Sequence, residues 1–226
     1  MAAVKMEIML SYTEENYLKA IYRLSEGGVK AVLTNEIAES MSTKAASVTD
    51  MIKKLSGKNL LSYEKYYGAR ITRSGKAQAL QVIRKHRLWE TFLVEKLHFS
   101  WDEVHDVAEQ LEHIQSPLLI EKLDKFLGYP TADPHGHPIP DRDGKVPNVN
   151  VIPLSESALN KKAVVTSVKH GAPSFLQYLS KIGIYIGAKV MILHKTEFDS
   201  SLEVVIDNKN RAFISREVAE NLLIAQ

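Results

Sequence analysis

Six of the eight prolines in this 226-residue chain fall between residues 130 and 153, together with Gly136 and Gly144. Proline has no amide hydrogen and a fixed φ, so this stretch cannot be the interior of a helix or a sheet, and it divides the chain. Before it, the apolar pattern is helical: Tyr17, Leu18, Ile21, Tyr22 and Leu24 recur at 3.6-residue spacing, as do Leu88, Phe92, Leu93 and Leu97, and Val104, Val107, Ala108, Leu111 and Ile114. After it, residues 163–168, 189–193, 202–206 and 212–214 read as strands, with a turn at 207–210 and one helix near 174–181. The expected fold is mainly α with a small β part, in four segments: 1–75, 76–129, a Pro-rich linker 130–160, and a strand-rich barrel 161–226.

Composition removes several classes of function. With no cysteine, the chain has no disulfide framework, thiolate zinc finger, iron–sulfur cluster or thiol nucleophile, so any metal must be held by nitrogen and oxygen. Lys5 and Glu7 interrupt the apolar start that a signal peptide needs, and no apolar run approaches the roughly 18 residues of a membrane span. A cytoplasmic protein with no membrane partner is expected. Catalysis is not: the chain lacks a His-Glu-x-x-His pattern, a Gly-rich phosphate loop and a Ser/His/Asp set. Net charge is only +2, yet it alternates along the chain, and residues 44–73 hold seven basic groups against two acids.

That basic stretch carries a recognisable arrangement. Residues 34–41 and 44–58 read as two helices about a tight turn at Ser42-Thr43, with Thr34 as the first cap. In the second helix Val48, Met51, Ile52 and Leu55 share one face, leaving small and charged residues outward. Residues 60–66 and 69–72 about Tyr67-Gly68 then form a hairpin wing. Ala46, Ser47, Thr49 and Asp50 stand where base contacts are made in a major groove, and Lys44, Lys53, Lys54, Lys65 and Arg70 where phosphates are met. A solvated helical hairpin is the bland alternative; the adjacent basic wing favours double-stranded DNA.

Six of eight histidines lie between residues 86 and 137, in the acidic middle of the chain. His86 and Glu90 are four apart on one helix, and a helix running through His113 would gather His105, Glu109, Glu112 and His113 within an arc of about 100°. A single His/Glu pair is usually a surface contact; two sets on neighbouring helices point to a divalent metal. A carboxylate-rich set without sulfur leans toward Mn2+ or Fe2+, although Zn2+ and other ions can bind such donors. His135 and His137 lie in a loop and are not counted among the ligands.

Taken together, residues 13–18 with Ile21-Tyr22, the helix pair, Arg84-Lys85-His86-Arg87-Leu88, Val104-His105-Asp106, Glu112-His113, and Asp133-Pro134-His135-Gly136 with Pro138-Ile139-Pro140 resemble the metal-dependent repressors of the diphtheria toxin repressor and manganese transport regulator family. The resemblance implies a winged helix-turn-helix, a helical dimerisation and metal-binding region, and a C-terminal SH3-like barrel. It also implies a primary metal site from Asn16, Glu109, Glu112 and His113, and an ancillary site from His86, Glu90 and His105 with His170 of the barrel. In such proteins metal restrains a hinge, so that the two winged domains of a homodimer match the half-sites of a palindromic operator controlling metal homeostasis.

Three positions carry information about the branch of the family. Glu109 resembles the manganese branch, but Asn16 offers a neutral amide oxygen where that branch has a carboxylate. Lys19 stands at a glutamate ligand of the two-domain manganese regulators, so two separated sites are expected rather than a binuclear one. A metal-independent winged-helix regulator and a His/Glu metalloenzyme are the alternatives.

Overall fold

The computed structural model describes residues 9–225, so the reading of the first ten residues falls almost wholly outside it. The chain forms two compact units. The first comprises residues up to Lys85 with the segments Glu112–Gln115 and Pro140–Lys145; the second comprises His86–Leu111, Ser116–Ile139 and Val146 onward.

In the first unit, helix α1 (Tyr12–Leu24) starts at Ser11, whose hydroxyl accepts from the Glu14 amide while the Glu14 carboxylate accepts from the Ser11 amide. This reciprocal box satisfies two of the amides that a helix start leaves open. Helix α2 (Thr34–Ser40) departs from expectation by one residue. Leu33, not Thr34, holds the cap position, because Glu36 reaches back to the Leu33 amide at 2.7 Å and no hydroxyl is needed. Helix α3 (Ala45–Gly57) follows after the turn. Val48, Ile52 and Leu55 are fully buried and pack with Leu18, Ile21, Ile37 and Leu60, so the face read from the 3.6-residue period is the one that folds inward.

Strands β1 (Leu61–Glu64) and β2 (Gly68–Ile71) pair antiparallel, Leu61 opposite Ile71 and Glu64 opposite Gly68, and form the wing. Gly68 is required there. Its φ is +96°, and an added Cβ would lie 2.5 Å from the Val32 carbonyl oxygen. Val32 and Ala69 exchange two backbone hydrogen bonds, at 2.8 and 2.9 Å, which tie the wing to the segment before α2.

Helix α4 (Arg73–Leu97) runs on into the second unit, which adds α5 (Val104–Leu111) and α6 (Pro117–Phe126). Helix α5 ends at Leu111, so Glu112 and His113 lie in the turn beyond it and the single His105-to-His113 arc does not form. Helix α6 is not among the periodic stretches above, although it has plain start signals, Ser116 capping the Leu119 amide and proline at its first position.

The C-terminal part is a six-stranded antiparallel sheet in the order β3 (Ile152–Pro153), β8 (Leu222–Ala225), β4 (Lys162–Val168), β5 (Lys189–Lys195), β6 (Leu202–Ile206), β7 (Asn210–Ile214). Helix α7 (Pro173–Ile182) connects β4 to β5, and α8 (Arg216–Asn221) precedes β8. Alternate residues such as Leu202, Val204 and Ile206 fill one core with Leu176, Leu179 and Ile192. Strands β3 and β8 and helix α8 were not legible. Pro153 argues against a strand and is tolerated only because β3 is a two-residue edge, and β8 follows α8 with no turn signal between them. Trp101 packs on this core and donates its indole N–H to Ser180 Oγ at 2.9 Å.

Candidate metal centres and nucleic-acid interface

On α3, Ala46, Ser47 and Asp50 are exposed, and Thr49 is half-buried with its hydroxyl donating to the Ala45 carbonyl at 2.9 Å. Lys44, Lys53, Lys65 and Arg70 are all exposed, Lys53 lying 3.9 Å from Asp50. Lys54 is partly committed: its ammonium lies 3.4 Å from the buried Glu14 carboxylate, beside Lys58 at 2.6 Å. Burial alone would raise the Glu14 pKa, but the Lys58 hydrogen bond and the Ser11 amide outweigh it and bring it to about 2. The wing tip adds two residues that charge counting overlooked, Tyr66 and Tyr67, both largely exposed, with the Lys65 ammonium 5.0 Å from the Tyr66 ring centre.

The turn after α5 meets α1 within the first unit. Glu112 is fully buried and takes the Lys19 ammonium on Oε1 at 2.6 Å; His113 Nε2 lies 3.4 Å from the same oxygen without a hydrogen bond to it. The other nitrogen, His113 Nδ1, bonds Glu15 Oε2, and Glu15 Oε1 takes Gln115 at 2.8 Å and Lys85 at 3.4 Å. A carboxylate acceptor at Nδ1 places the ring proton there and leaves the Nε2 lone pair facing inward, the tautomer a metal requires. Asn16, on the same helix three residues before Lys19, has a buried Oδ1 with no hydrogen-bond donor, just as Nε2 of His113 has none. Two orphaned acceptors and a buried carboxylate are donor types that an N/O-ligated ion accepts. Two ligands at ~2.1 Å from one ion also stand ~3–3.4 Å apart, the spacing of Nε2 and Oε1. Glu109 is on α5 in the second unit, with its carboxylate 3.6 Å from His105 Nε2.

The second cluster belongs to the second unit. Glu90, almost wholly buried on α4, is met by His86 Nε2 at 3.0 Å, His105 Nδ1 at 3.5 Å and His135 Nδ1 at 3.6 Å. Burial would raise its pKa, but bonds from His105, His135 and His86 hold it well below the usual carboxylate range. His86, Glu90 and His105 each bring a ligand atom within 4.8 Å of the others, and so do Asp133, His135 and His137. The loop holding the second trio is set by Gly136: at φ +82°, its missing Cβ would fall 1.8 Å from the Thr166 carbonyl oxygen. His135 Nε2 donates to the Trp101 carbonyl at 2.7 Å while Nδ1 faces the Glu90 carboxylate at 3.6 Å, an arrangement that calls for a proton or a cation between them. Burial lowers the His135 pKa and Glu90 more than restores it, so the net shift is upward.

One assigned ligand is not gathered. His170 is exposed just beyond β4 and lines a cavity of about 580 Å³ with Phe175, Tyr178 and Glu217; it is in neither histidine cluster. His170 follows from the resemblance alone, and the stretch after β4 that carries it turns to the cavity-lining residues of α7 and α8 rather than to Glu90. His135, set aside in the sequence reading as a loop residue, stands at Glu90 instead.

Family models match all three parts of the chain: an iron-dependent repressor N-terminal DNA-binding domain at residues 9–69, an iron-dependent repressor metal-binding and dimerisation domain at 72–141, and a FeoA domain at 152–226. The chain is 34% identical to the iron-dependent repressor IdeR of Mycobacterium leprae over 71% of its own length and 68% of that protein's. This chain belongs to the diphtheria toxin repressor/manganese transport regulator family. Among solved structures it resembles a manganese-dependent transcriptional repressor in complex with manganese (TM-score 0.84, 33% identity, 94% of this chain and 99% of that one). It likewise resembles the manganese regulator SloR (TM-score 0.74, 33% identity, 94% and 98%). IdeR of Mycobacterium bovis is 29% identical over 92% of this chain and 94% of its own. As a family member, the chain carries its C-terminal sheet as the SH3-like FeoA domain.

Proposed function

We propose that this chain is a metal-dependent transcriptional repressor that binds a palindromic operator as a homodimer when loaded with Mn2+, or alternatively Fe2+, and so controls metal homeostasis genes. The observation that carries this is the pair of orphaned acceptors, Asn16 Oδ1 and His113 Nε2, together with the buried Glu112 carboxylate. An ion held by Asn16, Glu112 and His113 ties α1, on which α2 and α3 pack, to the 112–115 segment, and Glu109 is the fourth ligand by family resemblance. The ion supplies the positive charge and directional bonds that fix the DNA-competent arrangement; Glu15 orients His113 for it. Because metal acts only through its preference for that arrangement, DNA must tighten metal binding by the same factor.

The ancillary site is assigned to His86, Glu90 and His105, with His135 in the place given to His170. The all-N/O donor set supports Mn2+ over softer-ligand alternatives. Dimerisation is assigned to the 76–129 region, where Leu97, Leu118 and Phe126 remain exposed. Among the described residues no helix is long and apolar enough to cross a membrane, consistent with action in the cytoplasm.

The test is retention of a genomic fragment library by the purified protein at fixed salt, with chelator and then with Mn2+, anaerobic Fe2+ or Zn2+. Sequence-selective retention with metal alone supports the reading. Retention indifferent to chelator contradicts it and leaves a constitutive DNA-binding protein.

A further inference from the structure

Glu112 Oε1 is approached by two groups at once, the Lys19 ammonium at 2.6 Å and the unbonded His113 Nε2 at 3.4 Å. Any ion that takes Nε2 and Oε1 together therefore meets an ammonium already seated on one of its ligands. The two cations cannot share that oxygen without strong repulsion at such short range. Their mobility differs. Glu112 has no exposed side-chain surface, whereas that of Lys19 is 22% exposed on the long flexible stem of a lysine, so the ammonium is the partner able to swing to water.

We infer that Lys19 is a tethered competitor for the metal: it occupies Glu112 in the metal-free protein, yields it when the ion binds, and thereby sets the metal concentration at which the repressor responds. In the metal-free state its ammonium pairs a fully buried carboxylate, so Glu112 has a partner and the site keeps its shape without an ion. The inference rests on the assignment of Asn16, Glu112 and His113 as metal ligands, and it adds a residue that tunes that site without being a ligand.

The test compares wild type with Lys19→Gln, which keeps a polar side chain, and Lys19→Met, which keeps the length, each as the full chain. Mn2+ is titrated calorimetrically, and thermal melting is followed with chelator and with saturating Mn2+. The expected result is at least a tenfold gain in Mn2+ affinity at this site in both variants. The metal-free variants should melt lower than wild type while the Mn2+-loaded forms melt nearly together, so that the metal-induced shift grows. Lys19→Arg should stay close to wild type. A purely structural role would lower both melting curves equally and leave affinity unchanged; an anchoring role would weaken Mn2+ binding; either result overturns the inference. If wild type and variants alike bind no Mn2+, the ligand assignment itself fails and the inference with it.

Discussion

Replacing Gly136 by alanine should separate the two metal centres. At φ +82° an L-residue costs about 1–2 kcal/mol. The new methyl would also sit 1.8 Å from the Thr166 oxygen and 2.7 Å from Ser167 Cα, so the 133–137 loop must retreat from β4. That retreat strains or breaks two hydrogen bonds, Val168 amide to His135 carbonyl at 3.2 Å and His137 Nε2 to Val168 carbonyl at 2.8 Å, each worth about 1 kcal/mol. The expected loss is about 3–4 kcal/mol, or roughly 10 °C in melting temperature for a chain of this size. Gly144→Ala is the matched control, since its φ is also positive (+76°) but its nearest neighbour is a leucine methyl at 3.5 Å. Calorimetry should show the large loss in Gly136→Ala only, together with weakened binding of the second Mn2+ as His135 leaves Glu90, while the first is retained. If Gly136→Ala melts with Gly144→Ala and binds two ions as wild type does, the close approach to β4 is not what places His135.

Three further outcomes follow from the same geometry. Lys53→Ala should weaken binding to all DNA sequences and reduce the salt slope by about one phosphate contact, whereas Thr49→Ala should alter sequence preference; competition with specific and random duplexes distinguishes them. His135→Ala should weaken the second Mn2+ site about tenfold or more and His170→Ala should not, a difference read by metal titration of the two variants. In the FeoA domain, Asp207 takes the Lys189 amide and the Tyr185 hydroxyl, each at 2.9 Å, which lowers the Asp207 pKa and raises that of Tyr185. The Tyr185 contribution to stability is thus complete below the ordinary phenol pKa and lost as pH rises through its higher folded value. Ultraviolet titration should show Asp207→Asn restoring ordinary ionisation to that tyrosine.

What the sequence made legible is what repeats or lies close along the chain. The inward face of α3 follows from Val48, Ile52 and Leu55 at helical spacing, and the wing from Gly68 between two short β-prone runs. The His86–Glu90 pair follows from its four-residue spacing. The same logic failed at α5, where extending the period past Leu111 put Glu112 and His113 on a helix that has already ended. It also could not find Glu15 as the partner of His113, 98 residues away, because Ser11 marks only Glu14 as a helix-start residue and nothing local points Glu15 at a distant histidine. One of these acids meets Lys54 and Lys58, the other His113, and only the direction of α1 decides which. His135 was hidden for a related reason: its place at Glu90 depends on a loop path set by the missing side chain of Gly136.

The central claim is that metal held at Asn16, Glu112 and His113 switches DNA binding. Its most direct test is a titration of Mn2+ into chelated protein with a retained DNA fragment at fixed salt, for wild type and for Glu112→Ala. The account predicts a sharp metal-dependent rise in DNA affinity for wild type and none for Glu112→Ala, although the variant remains folded and dimeric. A Glu112→Ala protein that still gains DNA affinity at the wild-type metal concentration would contradict it.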